Sequence, residues 1–292
     1  MEKLKPYQSD ILKYVMSKLG LRTNNTEFKT NILNIVNYII DDSQYAKTTK
    51  RDYLIIVCKT LEYMKYYDTR DDIYKIVKHY AKEHDDTEHL QELDENERQN
   101  YIQYDELYER VNTLMSEYNE SPTLKNIRRL IILALYVLHP PIRNDYYNMK
   151  IIYNVEDDDN KNNFLLITDD YTNMDIIINQ DKVINLHGPV YIPIENPLLK
   201  RIIKTYIKFY INKSIYLFEN PNRTPYTKRQ IQYIINKMFD HKVLTIYNLR
   251  SAYITNFYNN HLGLLERSNL AKYMRHGKNT AELNYYKILN NI

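Results

Sequence analysis

The chain of 292 residues has no tryptophan, one cysteine and only four glycines. A single thiol, Cys58, excludes an internal disulfide and any metal site built from cysteines. Phosphate-binding loops need clustered glycines, so this composition also excludes a P-loop and a dinucleotide-binding fingerprint. Cys58 lies in an apolar run, and we therefore expect a buried, unreactive thiol.

Long hydrophobic segments are also absent from the sequence. No run of about 18 apolar residues is present, and no signal-peptide pattern opens the chain. These features predict a soluble, intracellular-type protein with no membrane partner.

Charge is unevenly distributed along the chain. Residues 85–120 carry 12 acidic and 2 basic side chains, whereas the whole chain has a net charge of +3. The remainder is therefore strongly basic, at +13. Such a chain is a candidate for binding a polyanion such as nucleic acid, although an ordinary solvated surface explains the charge equally well.

Apolar residues recur at helical spacing through most of the chain. The acidic segment 84–100 has weak periodicity, which is typical of a linker. We expect Ser121 and Pro122 to start a helix that Pro140-Pro141 ends. Residues 1–20 fit either an arm or a first helix. Helices are predicted over 25–42, about 48–66, about 70–82, 104–118, 122–138, 198–210, 227–239 and about 246–258.

Between residues 150 and 196 the apolar period changes. Three short β-branched segments at 164–168, 174–178 and 190–194 predict a three-stranded antiparallel sheet. Lys182 lies in the turn region between the second and third of these strands. The predicted fold class is mainly α with a small antiparallel three-stranded sheet (α+β), divided into domains 1–97 and 98–292.

The stretch from Tyr247 to Arg250 carries the first candidate functional residues. The two side chains are three residues apart and share a helix face. An arginine among apolar neighbours is costly to desolvate unless an anion meets it. A structural salt bridge is the alternative interpretation of Arg250.

His276 and Tyr285 are nine residues apart, so one straight helix would place them on opposite faces. A break at Gly277, with Asn279 and Glu282 capping a second helix, would bring them to a common corner. A core histidine and a packed tyrosine are the alternative.

Together these elements resemble the tyrosine recombinase (phage integrase) family. The matching elements, in chain order, are Arg143 after a helix end, Lys182 in a β-hairpin, Tyr247-x-x-Arg250, His276-Gly277 and Tyr285. The segments Met-Arg-His-Gly-Lys-Asn-Thr-Ala-Glu-Leu-Asn-Tyr and Pro-Pro-Ile-Arg-Asn-Asp-Tyr are most similar to integrases of large eukaryotic DNA viruses and their mobile elements. The resemblance covers about 100–292 by motif. The first 97 residues match the family's DNA-clamping core-binding domain by architecture only.

The resemblance implies an enzyme that cleaves and rejoins double-stranded DNA through a 3′-phosphotyrosyl bond, with no metal, cofactor or ATP. Arg143 and Arg250 would hold the scissile phosphate, and His276 would hydrogen-bond it. Tyr285 would be the nucleophile and Lys182 the general acid. The resemblance further implies a homo-oligomer, with a dimer on a site and a tetramer in synapsis, encoded by a virus and acting in the infected cell.

Several assignments stay open on the sequence. Tyr247 stands where the family usually has a histidine, so the general base is undetermined. Tyr286 is an alternative nucleophile, and Lys150 and Lys161 are alternatives to Lys182. Two other functions also fit the pattern: a type IB topoisomerase-like nicking-closing enzyme and a degenerate, non-catalytic DNA-binding relative.

Overall fold

The computed structural model describes residues 4–88, 95–210, 214–239, 243–261, 263–276 and 285–287. The chain divides into two compact units, residues 1–90 and 91–292. The first unit is helical and consists of α1 (Pro6–Lys18), α2 (Asn25–Thr30), α3 (Ile32–Asp41), α4 (Lys47–Tyr63) and α5 (Tyr67–Glu88).

The core of the first unit is formed by apolar stripes from all five helices. Its buried members include Leu12, Val15, Phe28, Ile35, Leu54, Leu61 and Ile73. The single helix predicted over 25–42 is wrong, because Asn31 leaves helical geometry and separates α2 from α3. Asn24 caps α2 by accepting the Glu27 N–H at 2.9 Å. Cys58 is buried, as expected, and burial raises its pKa to about 11.

Among the described residues, the second unit contains the sheet, eight α-helices and three short 3-10 helices. The α-helices and strands are α6 (Glu95–Asn100), α7 (Tyr104–Glu120), α8 (Leu124–Val137), β1 (Lys150–Ile152), β2 (Phe164–Thr168), β3 (Asn173–Ile178), α9 (Ile184–His187), β4 (Val190–Pro193), α10 (Pro197–Tyr210), α11 (Lys228–Asn236), α12 (Ile246–Asn260) and α13 (Leu264–Tyr273).

Helix α8 forms the centre of the second unit. Every residue from Leu130 to Val137 is buried, and α7, α10, α11 and α12 pack against it. Thr123, rather than Ser121, caps this helix by accepting the Asn126 N–H at 3.2 Å. The acidic linker predicted over 84–100 is partly helical, since α5 extends to Glu88 and α6 begins at Glu95.

The sheet differs from the predicted one in strand number and direction. It has four strands in the order β1-β2-β3-β4, and β1 runs parallel to β2 while the other neighbours are antiparallel. The additional strand, Lys150–Ile152, is too short to show a period of two. It is held by long-range partners, including the Ile215 carbonyl, which accepts the Ile151 N–H at 2.9 Å.

None of the helices in the described ranges has the length and apolar character needed to cross a membrane.

Candidate active site

Helix α12 presents Tyr247 and Arg250 on adjacent turns. Thr245 caps the helix by a capping box with Asn248, which determines where its first turn begins. Tyr247 in this first turn is 37% exposed, whereas Arg250 one turn later is only 1% exposed. The shared face predicted from their spacing therefore runs from the surface into the interior.

The buried guanidinium of Arg250 joins two distant segments. Its Nη1 donates to the Pro141 carbonyl, and its Nη2 donates to the Met274 carbonyl at 3.0 Å. Its Nε has no hydrogen-bond partner, and it forms no ion pair with a carboxylate, among the described residues. Burial lowers the pKa of Arg250 from its ordinary value. Since arginine keeps its proton in proteins, a buried cation with an unfilled donor remains here.

Arg143 lies beside this buried cation. It follows Pro140-Pro141, which come just after α8 ends at Val137. Its Nη1 is buried with no hydrogen-bond partner among the described residues. The charge of Arg143 contributes to the lowered pKa of Arg250, so the two guanidinium groups repel each other within the unit. Such a pair is stabilised when an anion binds to both of its members.

Asp145 is the carboxylate that the two arginines influence most clearly. Burial raises its pKa, and the nearby Asp181 raises it further. Arg143 and Arg250 act in the opposite direction and favour its ionised form. The carboxylate therefore balances part of the positive charge of the arginines without forming an ion pair with either of them.

Tyr285 lies at the centre of the predicted residues. Its ring centroid is 5.1 Å from that of Tyr247 and 5.3 Å from that of His276, which it stacks against at 19°. The Arg250 Cζ lies 5.0 Å from the same ring. The Ser251 hydroxyl donates to the Tyr285 carbonyl at 2.6 Å and anchors this position to α12. The structure thus brings together Arg143, Tyr247, Arg250, His276 and Tyr285.

Tyr286 has a different environment from its neighbour. Its hydroxyl donates to the Asn259 Oδ1 at 3.2 Å, and its ring packs 5.7 Å from that of Tyr258. The next residue, Lys287, also contacts α12, because its backbone N–H donates to the Thr255 hydroxyl at 3.1 Å. In the described part of the chain, Arg250 stacks on Tyr285 and not on Tyr286.

His276 does not lie on a helix, contrary to the prediction. Helix α13 ends at Tyr273 in a Schellman motif: the His276 N–H donates to the Ala271 carbonyl and the Arg275 N–H to the Lys272 carbonyl, both at 3.1 Å. Arg275 occupies the left-handed position, with φ of 60°, where glycine is usual. The chain therefore turns one residue before His276.

The predicted break at Gly277 and the cap formed by Asn279 and Glu282 lie outside the described residues. Within the described residues the chain turns at Arg275, directly before His276, and the sequence did not reveal this turn. A non-glycine residue at a left-handed position gives no local signal.

A second interaction that the sequence did not reveal joins this turn to the sheet. Arg275 donates from Nε and Nη2 to the two carboxylate oxygens of Asp181, at 2.8 and 3.2 Å. The side chains are 3% and 1% exposed, respectively. The partners are far apart in sequence, so no spacing rule could have paired them.

Lys182, the residue after Asp181, is exposed in the connection from β3 to β4. Its ammonium makes no hydrogen bond or ion pair among the described residues, and the structure does not bring it into contact with the Tyr285 cluster. Of the alternatives, Lys161 is also exposed, whereas Lys150 is half-buried on β1.

A basic groove of about 690 Å³ lies between α8 and α11. Its lining residues are Leu124, Lys125, Arg128, Arg129, Tyr226, Tyr233, Ile234 and Lys237. The Arg128 Cζ lies 5.4 Å from the Tyr226 ring, and the Lys237 Nζ lies 5.7 Å from that of Tyr233. Cations interleaved with aromatic rings suit a polyanion that also offers flat surfaces. Within the described ranges, no group of three or more His, Cys, Asp or Glu side chains could hold a metal ion.

Comparison of the amino-acid sequence with known proteins identifies no relative. No protein-family model and no curated protein matches the chain. Among solved structures, the chain is similar to the crystal structure of XerA recombinase, with 14% identity and a TM-score of 0.45, over 98% of this chain and 95% of that one. A likeness at this level carries no functional argument, so the function has to be argued from the side chains.

Proposed function

We propose that this protein is a site-specific DNA recombinase that cleaves and rejoins strands through a 3′-phosphotyrosyl intermediate. The observation that supports it best is a pair of arginines with buried, unfilled N–H donors, the buried Arg250 and the half-buried Arg143, of which Arg250 lies against the Tyr285 ring. A tetrahedral phosphodiester supplies the anionic oxygens that such donors require. A tyrosine within the same cluster supplies the nucleophile.

The proposed reaction is a transesterification at phosphorus. The Tyr285 Oη forms a bond to phosphorus as the bond from phosphorus to the 5′-oxygen breaks, and the phenol proton leaves to a base. The Lys182 ammonium gives a proton to the departing oxygen, which becomes a 5′-hydroxyl. Arg143 and Arg250 stabilise the charge that develops on the non-bridging oxygens, with His276 as a further donor. The reverse sequence rejoins the strand.

The base that accepts the phenol proton is assigned to His276 rather than to Tyr247. The His276 ring stacks on Tyr285. A tyrosine hydroxyl already carries its proton near neutral pH, so Tyr247 cannot take up the phenol proton. Tyr247 is assigned the role of hydrogen-bond donor to the phosphate, for which its partly exposed hydroxyl suffices. In this assignment, His276 and Tyr247 together perform the functions of the histidine that the family usually has where this chain has Tyr247.

Duplex DNA is the proposed partner of both units. The basic groove between α8 and α11 would bind backbone phosphates, and residues 1–97 would form half of a clamp around the site. Cleaving two strands at each of two sites requires several copies of the chain, so we propose a dimer on each site and a tetramer in synapsis. We also propose that the enzyme is an integrase encoded by a virus or mobile element and active in the infected cell.

A nicked suicide substrate tests the proposed chemistry. Cleavage near the nick releases a short oligonucleotide, which leaves the protein covalently joined to DNA. We expect a denaturation-resistant protein–DNA band with wild type in the presence of EDTA, and none with Tyr285→Phe. Tyr286→Phe is the matched control and should retain the band, because Tyr286 packs on Tyr258 and Asn259.

Each outcome separates specific alternatives. A band that survives Tyr285→Phe and disappears with Tyr286→Phe would reassign the nucleophile. Binding of duplex DNA with no band from wild type would instead support a non-catalytic relative. A topoisomerase-like enzyme would relax supercoiled plasmid as a monomer without producing recombinant junctions.

A further inference from the structure

The buried ion pair between Asp181 and Arg275 is not used by the proposed reaction, yet it lies between two residues that are. Asp181 directly precedes Lys182, the proposed general acid, and Arg275 directly precedes His276. The bidentate contact at 2.8 and 3.2 Å is the only contact in the described residues that joins these two segments through ionised side chains.

Asp181 also organises the turn that carries Lys182. One carboxylate oxygen of Asp181 accepts the Val183 N–H at 3.1 Å, so this hydrogen bond joins the residues on either side of Lys182. The preceding residues are anchored as well, because the Asn163 side chain bonds both the Gln180 N–H and the Gln180 carbonyl, each at 2.8 Å. The backbone around Lys182 is therefore anchored before it at Gln180 and after it at Val183.

Arg275 is held in a backbone conformation that its residue type disfavours. Left-handed φ is uncommon for a residue with a side chain, and such conformations persist only where the surroundings over-determine them. Glycine would fit the turn with less strain. An arginine at this position therefore indicates that its side chain is needed, and the contact it makes is with Asp181.

We infer that Asp181 and Arg275 are positioning residues that hold the Lys182 turn against the His276 segment. The inference rests on the proposed function, because it acts through Lys182. When the pair is intact, the turn that carries Lys182 is attached to the segment that carries His276. When the pair is lost, the turn is no longer attached to this segment, and protonation of the leaving 5′-oxygen becomes slower.

The test compares two DNA substrates that differ only in the leaving atom. One has an ordinary 5′-bridging oxygen, and the other has sulfur there, which leaves as a thiolate and needs little general-acid help. The main variant is Asp181→Asn with Arg275→Gly. It removes both charges together, so neither is left buried alone, and it places glycine at the left-handed position. Lys182→Ala is the reference for complete loss of the general acid.

We expect the double variant to cleave the oxygen substrate more slowly by a factor on the order of 10² and the sulfur substrate at close to the wild-type rate. Adding Lys182→Ala to it should cause little further loss, because both changes remove the same step. Equal slowing on both substrates would overturn the inference, because it would show a general structural defect. Wild-type rates on both substrates would overturn it as well.

A second variant covers the case in which the double variant does not fold. Arg275→Lys keeps the charge balance but loses the two-pronged contact, so we expect a smaller, oxygen-selective slowing. Unselective or absent slowing in this variant would also contradict the inference. If wild type itself forms no covalent product with either substrate, then the proposed function fails, and the inference falls with it.

Discussion

Two buried arginine sites in the same unit have opposite charge environments. Arg275 meets Asp181 in a bidentate ion pair with both side chains removed from solvent. Arg250 and Arg143 have unfilled donors and no carboxylate partner among the described residues. Desolvating a cation is costly in both places, but only at the first site does a carboxylate offset the cost through an ion pair, whereas Asp145 balances part of the charge at the second site from a distance.

This difference assigns a role to each site. The paired site is complete within the chain, so it contributes to the structure and orients what is attached to it. The unpaired site has no such partner among the described residues, and under the proposed function the phosphate of the DNA supplies it. Arginine is suited to that second role because burial cannot remove its proton, whereas a buried histidine becomes neutral.

The largest expected effect is on stability at the paired site. Asp181→Ala leaves the Arg275 cation buried without a partner, and we expect the free energy of unfolding to fall by about 3–5 kcal/mol. Urea denaturation followed by circular dichroism measures this directly. The pair of Arg223 and Glu219, at 2.8 Å, is the control because the Arg223 side chain is 69% exposed, and Arg223→Ala should cost about 0–1 kcal/mol. Similar losses in the two variants would show that the buried pair has no special role.

A smaller effect is expected from a third buried basic group. Burial lowers the pKa of His139 to about 4, below its ordinary value of 6.5. Between pH 6.5 and pH 4 the unfolded chain binds a proton at His139 that the folded chain does not bind. The free energy of unfolding is therefore highest above pH 6.5 and falls as the pH drops toward 4. The loss is at most roughly 3 kcal/mol.

The measurement is the free energy of unfolding across this pH range for wild type and His139→Gln. The difference in slope isolates the histidine from the carboxylates that titrate nearby. Parallel curves would mean that His139 binds its proton equally well in the folded and unfolded protein, and the contrast with the two arginine sites would then be wrong.

The smallest expected effect is stabilisation by inorganic phosphate. Binding at the unpaired arginines should stabilise the folded chain by about 1.4 kcal/mol when phosphate is in tenfold excess over its Kd. We expect Arg143→Ala to lose most of this gain, while Arg223→Ala keeps it. The measurement is a thermal melt at constant ionic strength with chloride as the reference anion. An equal phosphate response in both variants would place the anion elsewhere, for example in the basic groove.

Local patterns predicted most helices, because an amphipathic helix is recorded in the spacing of its own apolar residues. They predicted the three longer strands for the same reason. They did not predict β1 or its direction, since three residues show no period and their partners lie far along the chain. Asn31 was also missed as a break, because asparagine is compatible with both a helix and its cap.

The sequence by itself determined which candidate functional side chains the chain has and their order, from Arg143 to Tyr285. It also predicted that Arg250 would share a helix face with Tyr247 and lie among apolar neighbours. Only the tertiary structure decided that Tyr285, rather than Tyr286, meets Arg250 and His276, and that Arg275 turns the chain toward Asp181. These contacts join residues far apart in sequence, and their energy comes from burial and charge pairing that no local pattern records.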